Sequence, residues 1–391
     1  MDKLIFFNIF YTNYCTYIKQ ICTIMNQINN SFDVIIIGGG PSGCSCAYQL
    51  LDAGKKVLIM DKAEFPRHKP CAGGITMKTL KHLPFNIDHL VEHTARKMKF
   101  SFGGSKEISL THDNGSCVMV IRDKFDAYFF EQTIKKGAEF KKIDKIKQIS
   151  NMQKRVVLEV DGKTYETDFL IGADGANSTV RKLTSDLKYK TPVYAYEGIV
   201  EKSDHKYVTE FIFNKTGYAW IFPKDNHYNV GIGNLLTNKN SKKISKKDLF
   251  SFVSKYFKTD KIENITAFPI GTEGDAYKAT SNIFLVGDAA GFAESLLGEG
   301  IYNAVVSGKY AAKAIIDSKV NTYSANQLYN NFLEAFTQEL KLYRKGSKIL
   351  YGYPRISFWM MKLGLGKKFM NGYSTGKTLT EIMGKPNLYL N

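Results

Sequence analysis

The alternation of apolar and polar positions first becomes informative at residues 32–61. Residues 32–37 are a short, β-branched apolar run, which is typical of a strand buried on both faces of a parallel sheet. A glycine-rich segment follows at residues 38–43, then a helical stretch over residues 44–53 and a second apolar strand over residues 56–60. This order of strand, turn, helix and strand predicts the opening unit of a Rossmann-like domain.

The glycine-rich turn has the spacing G-x-G-x-x-G, with Gly38, Gly40 and Gly43 at its fixed positions. Such glycines permit the tight turn, the close approach of the backbone to a pyrophosphate and the close packing of helix on strand. The N-terminus of the following helix offers N–H groups to the phosphates. Asp61 ends the second strand 18 positions after Gly43, where a carboxylate accepts hydrogen bonds from a ribose. A lone G-x-G-x-x-G is weak, but in this setting it predicts dinucleotide binding.

Two later apolar runs also lead into acidic residues. Residues 169–172 precede Asp174, and residues 282–286 precede Gly287 and Asp288. The carboxyl ends of parallel strands meet at one edge of a sheet, which is where such sheets bind ligands. We therefore expect both carboxylates to lie near the dinucleotide.

In this order the three motifs resemble the FAD-dependent oxidoreductases of the p-hydroxybenzoate hydroxylase type. The resemblance implies that the dinucleotide is FAD, with Asp61 on the adenosine ribose and Asp288 on the ribityl and pyrophosphate part. Arg122 matches the arginine that begins a flavin-side helix in that family.

Three further segments resemble motifs of one branch of these flavoproteins, the geranylgeranyl reductases. They are PxxKxC(G/A)G at residues 66–74, YxWxFPK at residues 218–224 and GEGI at residues 298–301. The resemblance covers about residues 32–343 and implies that FAD also contacts Lys69, Cys71, Ala72, Gly298, Gly300 and Ile301. Ala72 is a departure, since many members have glycine there and a methyl group tightens the approach of the flavin.

The chemistry of this branch needs an unusual pocket. An isolated trisubstituted alkene has no carbonyl to accept a hydride, so protonation of its less substituted carbon must leave a tertiary cation that a hydride from reduced flavin N5 quenches. Such a site is dry and apolar, with aromatic walls near the cation. Tyr218, Trp220 and Phe222 alternate along one predicted strand and so share a face. We expect this face to be the substrate wall; the alternative is that it is inter-domain core.

Cys71, Tyr218 and Trp220 are the candidate catalytic residues. Cys71 is either a proton donor, a thiol that faces the flavin, or a small packing residue between prolines and glycines. Lys224, at the end of the YxWxFPK motif, joins Tyr218, Trp220 and Phe222 as a substrate-binding candidate that would hold a diphosphate or phosphoglycerol head group. Arg67 and Lys69 are further candidates for holding that head group, and the alternative for all three residues is solvated charge.

The charge of the chain points to an anionic partner. Its 54 Lys and Arg residues against 37 Asp and Glu residues give a net charge of +17. Residues 341–391 hold ten Lys and Arg and one acid, mixed with large apolar side chains. This is the composition of a surface that lies against anionic lipid, although a solvated basic face has the same composition. No zinc-finger, helix-turn-helix or RNP pattern is present, so we expect no nucleic-acid partner.

Residues 1–31 are predicted to be an N-terminal tail outside the fold, with Met25 as the working start. The apolar residues 4–10 also allow a short membrane-touching arm. The six cysteines lack the paired spacing of a zinc site and follow no secretory signal. We therefore expect reduced thiols, no metal, and a cytoplasmic protein that is peripheral on the inner face of the membrane if its basic region binds lipid.

We expect an α/β (α+β two-domain) fold class: a Rossmann-like FAD-binding domain, an antiparallel-sheet substrate domain and a helical C-terminal region. The FAD-binding domain is predicted to be discontinuous, over residues 32–96, 117–190 and 271–318. The substrate-binding sheet domain is predicted over residues 97–116 and 191–270, and the basic helical region over residues 319–391.

The predicted function is saturation of isolated C=C bonds in a geranylgeranyl-type isoprenoid chain, carried by a diphosphate, a lipid or a quinone. The cofactor is FAD, and the electron donor is NAD(P)H or a ferredoxin, since no second G-x-G-x-x-G is present. One alternative is an FAD-dependent aromatic monooxygenase, which uses the same three flavin motifs. The other is a non-catalytic prenyl-lipid carrier on the same fold, which the intact flavin motifs disfavour. The sequence does not indicate an oligomeric state.

Overall fold

A computed structural model describes residues 31–103, 106–152, 155–187, 193–202, 206–215, 217–235 and 244–384. The expectations for residues 1–30, a tail or a membrane-touching arm that includes Met25, lie outside this part. Ser31 corrects the predicted tail boundary, because it already belongs to the first strand and is the register partner of Glu166. The backbone pairing of that strand extends one residue beyond its apolar run.

Strands and helices are interspersed along the chain. The strands are β1 (Ser31–Ile37), β2 (Val57–Asp61), β3 (Gly74–Thr76), β4 (Val91–Thr94), β5 (Lys97–Phe102), β6 (Lys106–Thr111), β7 (Cys117–Val120), β8 (Glu139–Lys142), β9 (Ile146–Met152), β10 (Arg155–Val160), β11 (Lys163–Gly172), β12 (Val193–Glu201), β13 (Thr209–Phe213), β14 (Gly217–Pro223), β15 (His227–Asn234), β16 (Glu263–Ile270) and β17 (Ile283–Leu285). The helices are α1 (Pro41–Asp52), α2 (Met77–His82), α3 (Arg122–Lys135), α4 (Thr179–Thr184), α5 (Lys246–Phe257), α6 (Ile301–Asp317), α7 (Ala325–Gly352), α8 (Pro354–Met360), α9 (Gly366–Ser374) and α10 (Leu379–Ile382).

The first sheet carries the glycine-rich turn. Its order is β8-β2-β1-β11-β10-β9, and β17 also pairs with β11. The pairs β1–β2, β1–β11, β2–β8 and β11–β17 are parallel, whereas β9 and β10 are antiparallel additions. The carboxyl ends of β1, β11 and β17 consequently lie side by side, and the three flavin motifs follow these strand ends.

Two helices pack tightly at this edge. A Cβ at Gly308 of α6 would lie 2.3 Å from the carbonyl oxygen of Ser42 in α1, so only glycine permits this approach. Ser45 Oγ donates to the carbonyl oxygen of Val305 at 2.8 Å, which joins the same two helices. This contact positions the start of α1 beside the segment that follows β17.

The second sheet has the order β16-β12-β15-β14-β13-β5-β6, with β13–β5 as its parallel pair. Its two faces differ. Tyr218, Trp220 and Phe222 of β14 face an aromatic cluster, whereas Ala219 and Ile221 pack on the other side against α5. A third, small sheet has the order β3-β7-β4.

The predicted fold class is confirmed by this mixed architecture with its helical C-terminal region. Among the described cysteines, Cys44, Cys46, Cys71 and Cys117 are free thiols. In the described ranges, no three His, Cys, Asp or Glu side chains are placed to share a metal ion. Over the same ranges no helix combines the length and the apolar character needed to cross a membrane.

Candidate active site

One cavity of about 1010 Å³ runs from the edge of the first sheet to the aromatic face of the second. Ligand pockets run from roughly 300 to 1000 Å³, so this cavity has room for a dinucleotide and part of an apolar chain. It is lined by most of the predicted site residues: Gly38, Gly40, Asp61, Lys69, Cys71, Ala72, Arg122, Asp174, Tyr218, Trp220, Phe222, Asp288, Gly298, Gly300 and Ile301. Gly43, Lys224 and Gly287 do not line it, but each lies behind a residue that does.

The glycine-rich turn forms a cradle at one end of the cavity. A Cβ at Gly38, whose φ is +110°, would lie 2.4 Å from the carbonyl oxygen of Ala173, and one at Gly43 would lie 1.9 Å from the carbonyl oxygen of Gly38. A Cβ added at Gly40 would have Arg67 Nη2, at the flexible end of that side chain, as its nearest neighbour at 3.4 Å. Gly40, Pro41 and Ser42 line the cavity here, and Gly40 has no side chain to cap the first-turn N–H groups of α1. This arrangement fits a pyrophosphate.

Asp61 stands at the end of β2 beside this cradle. Its Oδ2 accepts the N–H of Gly39 at 2.7 Å, and its Oδ1 accepts the N–H of Ala63 at 2.9 Å. These bonds hold the carboxylate in place, and each oxygen has a second lone pair for a hydroxyl donor. Its position fits the ribose contact that the resemblance implies.

Cationic side chains converge on the middle of the cavity. Arg122 donates through Nε and Nη2 to the two oxygens of Asp126, both at 2.8 Å, and Arg67 Nη2 lies 3.1 Å from the same carboxylate. Arg67 Nη1 is buried and has no hydrogen-bond partner in the described part of the chain. Because buried donors are almost always paired, this free N–H fits an anionic ligand.

Lys69 adds a further cation to this region. Its Nζ lies 2.8 Å from the centroid of the Phe268 ring. Burial lowers the pKa of Lys69 to about 8, and the like charge of Arg122 acts in the same direction. Burial raises the pKa of Asp288, an effect that Lys69 and Arg122 oppose. The cradle, the ribose acceptor and these cations together fit FAD.

The Asp174 carboxylate is engaged within the protein. Its Oδ1 accepts the Ser178 hydroxyl at 2.5 Å, and its Oδ2 accepts the N–H of Thr179 at 2.6 Å. Arg181 Nη1 then donates to the carbonyl oxygen of Ala289 at 2.8 Å. Asp174 therefore caps α4 and forms part of the cavity lining. Arg181 links the end of β11 to the segment after β17.

The GEGI segment lies directly against the Gly-Asp pair. A Cβ at Gly300 would lie 3.3 Å from Asp288 Oδ1, and Ile301 begins α6. The N–H of Gly287 donates to Ser307 Oγ at 2.9 Å, which anchors this pair to the same helix. Gly298 and Gly300 thereby bring backbone close to the middle of the cavity.

Lys224 supports the Cys71 loop from behind. Its Nζ donates to the carbonyl oxygens of Ala72 at 2.7 Å and Val120 at 2.9 Å, and its side chain is buried. Burial lowers the pKa of this ammonium to about 8. The structure therefore corrects both expectations for Lys224: it is neither a solvated charge nor part of the cavity wall, because two carbonyl groups hold its ammonium.

The aromatic wall has no free polar groups. The Tyr218 hydroxyl donates to the carbonyl oxygen of Leu297, and Trp220 Nε1 donates to Asn229 Oδ1 at 2.7 Å. Burial also raises the pKa of Tyr218. With these donors already bonded, Tyr218, Trp220 and Phe222 present apolar ring surface to the cavity.

Glu197 of β12 is a site residue that the sequence reasoning missed. Its carboxyl group is buried, lines the cavity, accepts the Cys71 N–H at 2.7 Å and is hydrogen-bonded to Asn229. Burial raises the pKa of Glu197. One continuous hydrogen-bond network thus joins Trp220, Asn229, Glu197 and the Cys71 loop. The only signal in the sequence is a charged residue within a strand, and its meaning depends on which face is buried.

The C-terminal region lines the apolar end of the cavity. The residues involved come from α7 to α10 and the turns between them: Leu342, Ile349, Leu350, Met360, Met361, Leu365, Phe369, Met370, Tyr373, Leu379 and Met383. Tyr351 anchors α7 here by donating its hydroxyl to the carbonyl oxygen of Leu296 at 2.6 Å. The sequence predicted a basic, helical region here and gave no indication that it forms a wall.

A largely buried ion pair supports the GEGI segment. Lys78 Nζ lies 2.7 Å from Glu299 Oε2, and Thr76 Oγ1 donates to Glu299 Oε1 at 2.6 Å. Glu294 accepts the N–H groups of Leu296 at 2.6 Å and Glu299 at 2.9 Å. These bonds hold the loop of residues 294–299. Its carbonyl oxygens at Leu297 and Leu296 accept hydrogen bonds from the hydroxyls of Tyr218 and Tyr351.

Comparison with known proteins agrees with this geometry. Residues 31–317 match the model of the FAD binding domain family. The chain is 31% identical to the geranylgeranyl diphosphate reductase of Rhodobacter capsulatus, over 72% of this chain and 74% of that protein. It is 29% identical to the digeranylgeranylglycerophospholipid reductase of Methanocaldococcus jannaschii, over 78% of this chain and 82% of that protein. The fold is similar to that of a geranylgeranyl bacteriochlorophyll reductase-like protein from Thermoplasma acidophilum, with a TM-score of 0.72 and 21% identity over 91% of this chain and 95% of that one.

Proposed function

We propose, since the chain belongs to the geranylgeranyl reductase family of FAD-dependent oxidoreductases, that it saturates isolated C=C bonds in the prenyl chain of a lipid. The observation that carries this proposal is the continuity of the cavity. Its cationic, glycine-lined end fits FAD, and its other end is bounded by aromatic and aliphatic side chains of β14 and the C-terminal helices. Relatives named for reduction of geranylgeranyl groups on a diphosphate and on a glycerophospholipid support the same substrate class.

The chain's own residues would hold the cofactor and exclude water. The N–H groups at the start of α1, together with Arg67 and Lys69, would bind the pyrophosphate, and Asp61 would accept the ribose hydroxyls. FAD, when bound and reduced, supplies the hydride. The apolar rings of Tyr218, Trp220 and Phe222 keep the alkene dry and face a developing tertiary cation with their π-electrons.

Saturation also needs a proton on the less substituted carbon, and we assign it to the Glu197 carboxyl group. The hydroxyl of Tyr218 and the N–H of Trp220 are already donated within the protein. The Cys71 sulfur lies 3.5 Å from the N–H of Gly73 and is also hydrogen-bonded to the Arg122 guanidinium, so it faces donors. Glu197 accepts the Cys71 N–H and is bonded to Asn229, and both bonds favour its charged form, but burial outweighs them and raises its pKa toward the protonated, donating form. Proton and hydride together add two hydrogens to each double bond.

The test is an anaerobic single-turnover reaction. Dithionite-reduced holoprotein is mixed with a geranylgeranyl glycerophospholipid in detergent, and products are analysed by mass spectrometry. We expect products heavier by pairs of hydrogens, with flavin reoxidised in step. Flavin that stays reduced until oxygen enters, with no saturated product, would refute the proposal and favour a monooxygenase.

The head group is tested in the same assay. Geranylgeranyl diphosphate, the glycerophospholipid and a prenylated quinone are compared at equal concentration. Two carbonyl groups hold the ammonium of Lys224, one of the cations expected to bind a diphosphate, so we expect the glycerophospholipid to react faster than the diphosphate. Equal or faster reaction of the diphosphate would contradict this choice.

A further inference from the structure

Exposed apolar side chains are concentrated in one part of the C-terminal region. We call them the mouth patch: Ile349, Tyr353, Ile356, Trp359, Met360, Leu363 and Met383. Trp359 and Leu363 have 59% and 66% of their surface exposed. Single exposed apolar residues are ordinary, but a contiguous group of large ones marks an interaction surface.

The mouth patch is continuous with the cavity. Ile349, Met360 and Met383 are exposed and also line the cavity, whereas Met361 and Leu365 continue the apolar lining inward. An apolar surface therefore runs from the outside of the molecule into the aromatic end of the site. An apolar chain moving along it would stay in contact with apolar side chains.

Positive charge flanks the mouth patch along the chain. The exposed basic residues near it are Lys345, Lys348, Arg355, Lys362, Lys367 and Lys368. Within the described residues none of these six forms an ion pair with a carboxylate. The acids that flank them in sequence are already engaged: Glu339 accepts the N–H of Leu379 at 2.8 Å, and Glu381 accepts the N–H of Thr378 at 2.7 Å and caps α10. The charge is therefore of one sign and available to an anionic surface.

The backbone places the apolar residues on or beside an exposed turn. α8 ends at Met360, and Gly364 has a φ of +116°, which turns the chain before α9 begins. Trp359, Met360 and Leu363 lie on or beside this turn and are exposed. Apolar residues on a turn with flanking lysines are the arrangement of a segment that enters the headgroup layer of a bilayer.

We propose that the mouth patch docks on an anionic lipid bilayer and receives the prenyl chain from it directly. Trp359, Met360 and Leu363 enter the boundary between headgroups and acyl chains, and the lysines contact lipid phosphates. The docking stands on the surface alone, while the transfer of a prenyl chain rests on the proposed function. A second copy of this chain would bind poorly to the mouth patch, because the basic residues of the two copies would face and repel each other.

The chain provides its own optical probe of docking. It has two tryptophans, of which Trp220 is buried and Trp359 is exposed in the mouth patch. Titration of the holoprotein with phosphatidylcholine vesicles containing about 30 mol% phosphatidylglycerol is expected to blue-shift the Trp359 emission by roughly 10 nm or more. The Trp359→Phe variant is expected to show no shift, and lipids brominated near the headgroup are expected to quench only the wild type.

Vesicle flotation measures the same binding without a fluorophore. We expect the double variant Trp359→Ser/Leu363→Ser to lose at least about tenfold in partition coefficient. Val320→Ser removes an even more exposed apolar side chain outside the mouth patch and should behave as wild type. Binding of the protein to anionic vesicles should weaken as the salt concentration rises, because salt screens surface charge. Normal flavin absorbance and melting temperature in all variants would show that they are folded.

Several results would overturn the proposal. They are absence of wild-type flotation with anionic vesicles, equal binding to vesicles of pure phosphatidylcholine, and a dimer in light scattering that shifts Trp359 emission without lipid. Turnover of detergent-dispersed substrate is measured separately. Turnover without vesicle binding would reject the docking alone, and vesicle binding without turnover would reject the proposed function alone.

Discussion

Replacement of Glu197 by glutamine tests the proton source at the atom that we assign to it. The glutamine side chain keeps an acceptor for the Cys71 N–H, which lies 2.7 Å from Glu197 Oε1, but it has no acidic proton. General acid catalysis contributes about 10²–10⁴-fold to a rate. We therefore expect single-turnover flavin reoxidation by the prenyl substrate to slow by about 10²–10⁴-fold, which is roughly 2.7–5.5 kcal/mol in the barrier.

The stability of the same variant separates chemistry from folding. Glutamine retains the hydrogen bond to Cys71 and loses only part of the bond to Asn229, so we expect a loss of about 1 kcal/mol in the free energy of unfolding. Glu197→Ala also leaves the Cys71 N–H without its partner, and it is expected to cost about 1–3 kcal/mol. Glu201→Gln, at the exposed end of the same strand, is the matched control and should leave both rate and stability unchanged.

The pH dependence supplies the refuting result. Burial raises the pKa of Glu197, and the protonated form is the donor. The wild-type rate should therefore be highest below that raised pKa and fall as pH rises through it, while Glu197→Gln should be slow and independent of pH in this range. A variant that reoxidises flavin at the wild-type rate, with the same fall at high pH, would remove Glu197 from the mechanism and direct attention to Cys71→Ser.

Three other predictions concern the cofactor site and its support. Gly43→Ala should abolish FAD retention and give a colourless protein, because its Cβ would lie 1.9 Å from the Gly38 carbonyl oxygen; Gly352→Ala, which meets nothing within 4 Å, should stay yellow. Lys69→Met should weaken FAD binding and make that binding independent of pH. In the wild type, Lys69 has a pKa of about 8 and loses its positive charge above that pH, so the affinity for the anionic cofactor falls as pH rises. Equilibrium dialysis on either side of this pKa checks the prediction, and an unchanged pH dependence in the variant would contradict it. Lys78→Met should lower the free energy of unfolding by about 3–5 kcal/mol by leaving the largely buried Glu299 carboxylate without its cation, and adding Glu299→Gln should restore part of it in denaturant unfolding.

Several features of this protein were determined by short stretches of sequence alone. The cradle for the pyrophosphate follows from glycines at fixed spacing after a buried strand, because the steric demands of that turn involve atoms only a few residues apart or in the next strand. The shared face of Tyr218, Trp220 and Phe222 follows from the two-residue period of a strand. The FAD cofactor and the family were identified from such local motifs, and both are confirmed.

Other features were decided only by tertiary structure, because they join residues far apart in sequence. The bond between Cys71 and Glu197 spans 126 positions, and the bond between Lys224 and Ala72 spans 152. Nothing near Lys224 in the sequence distinguishes a solvated lysine from one held by two carbonyl groups, since burial depends on which loop packs over it. The C-terminal helices likewise read as a basic amphipathic region until the fold lays them across the open end of the cavity. Local spacing thus determined the cofactor chemistry, whereas the packing of distant segments decided the surroundings of Glu197, the apolar wall and the opening of the site.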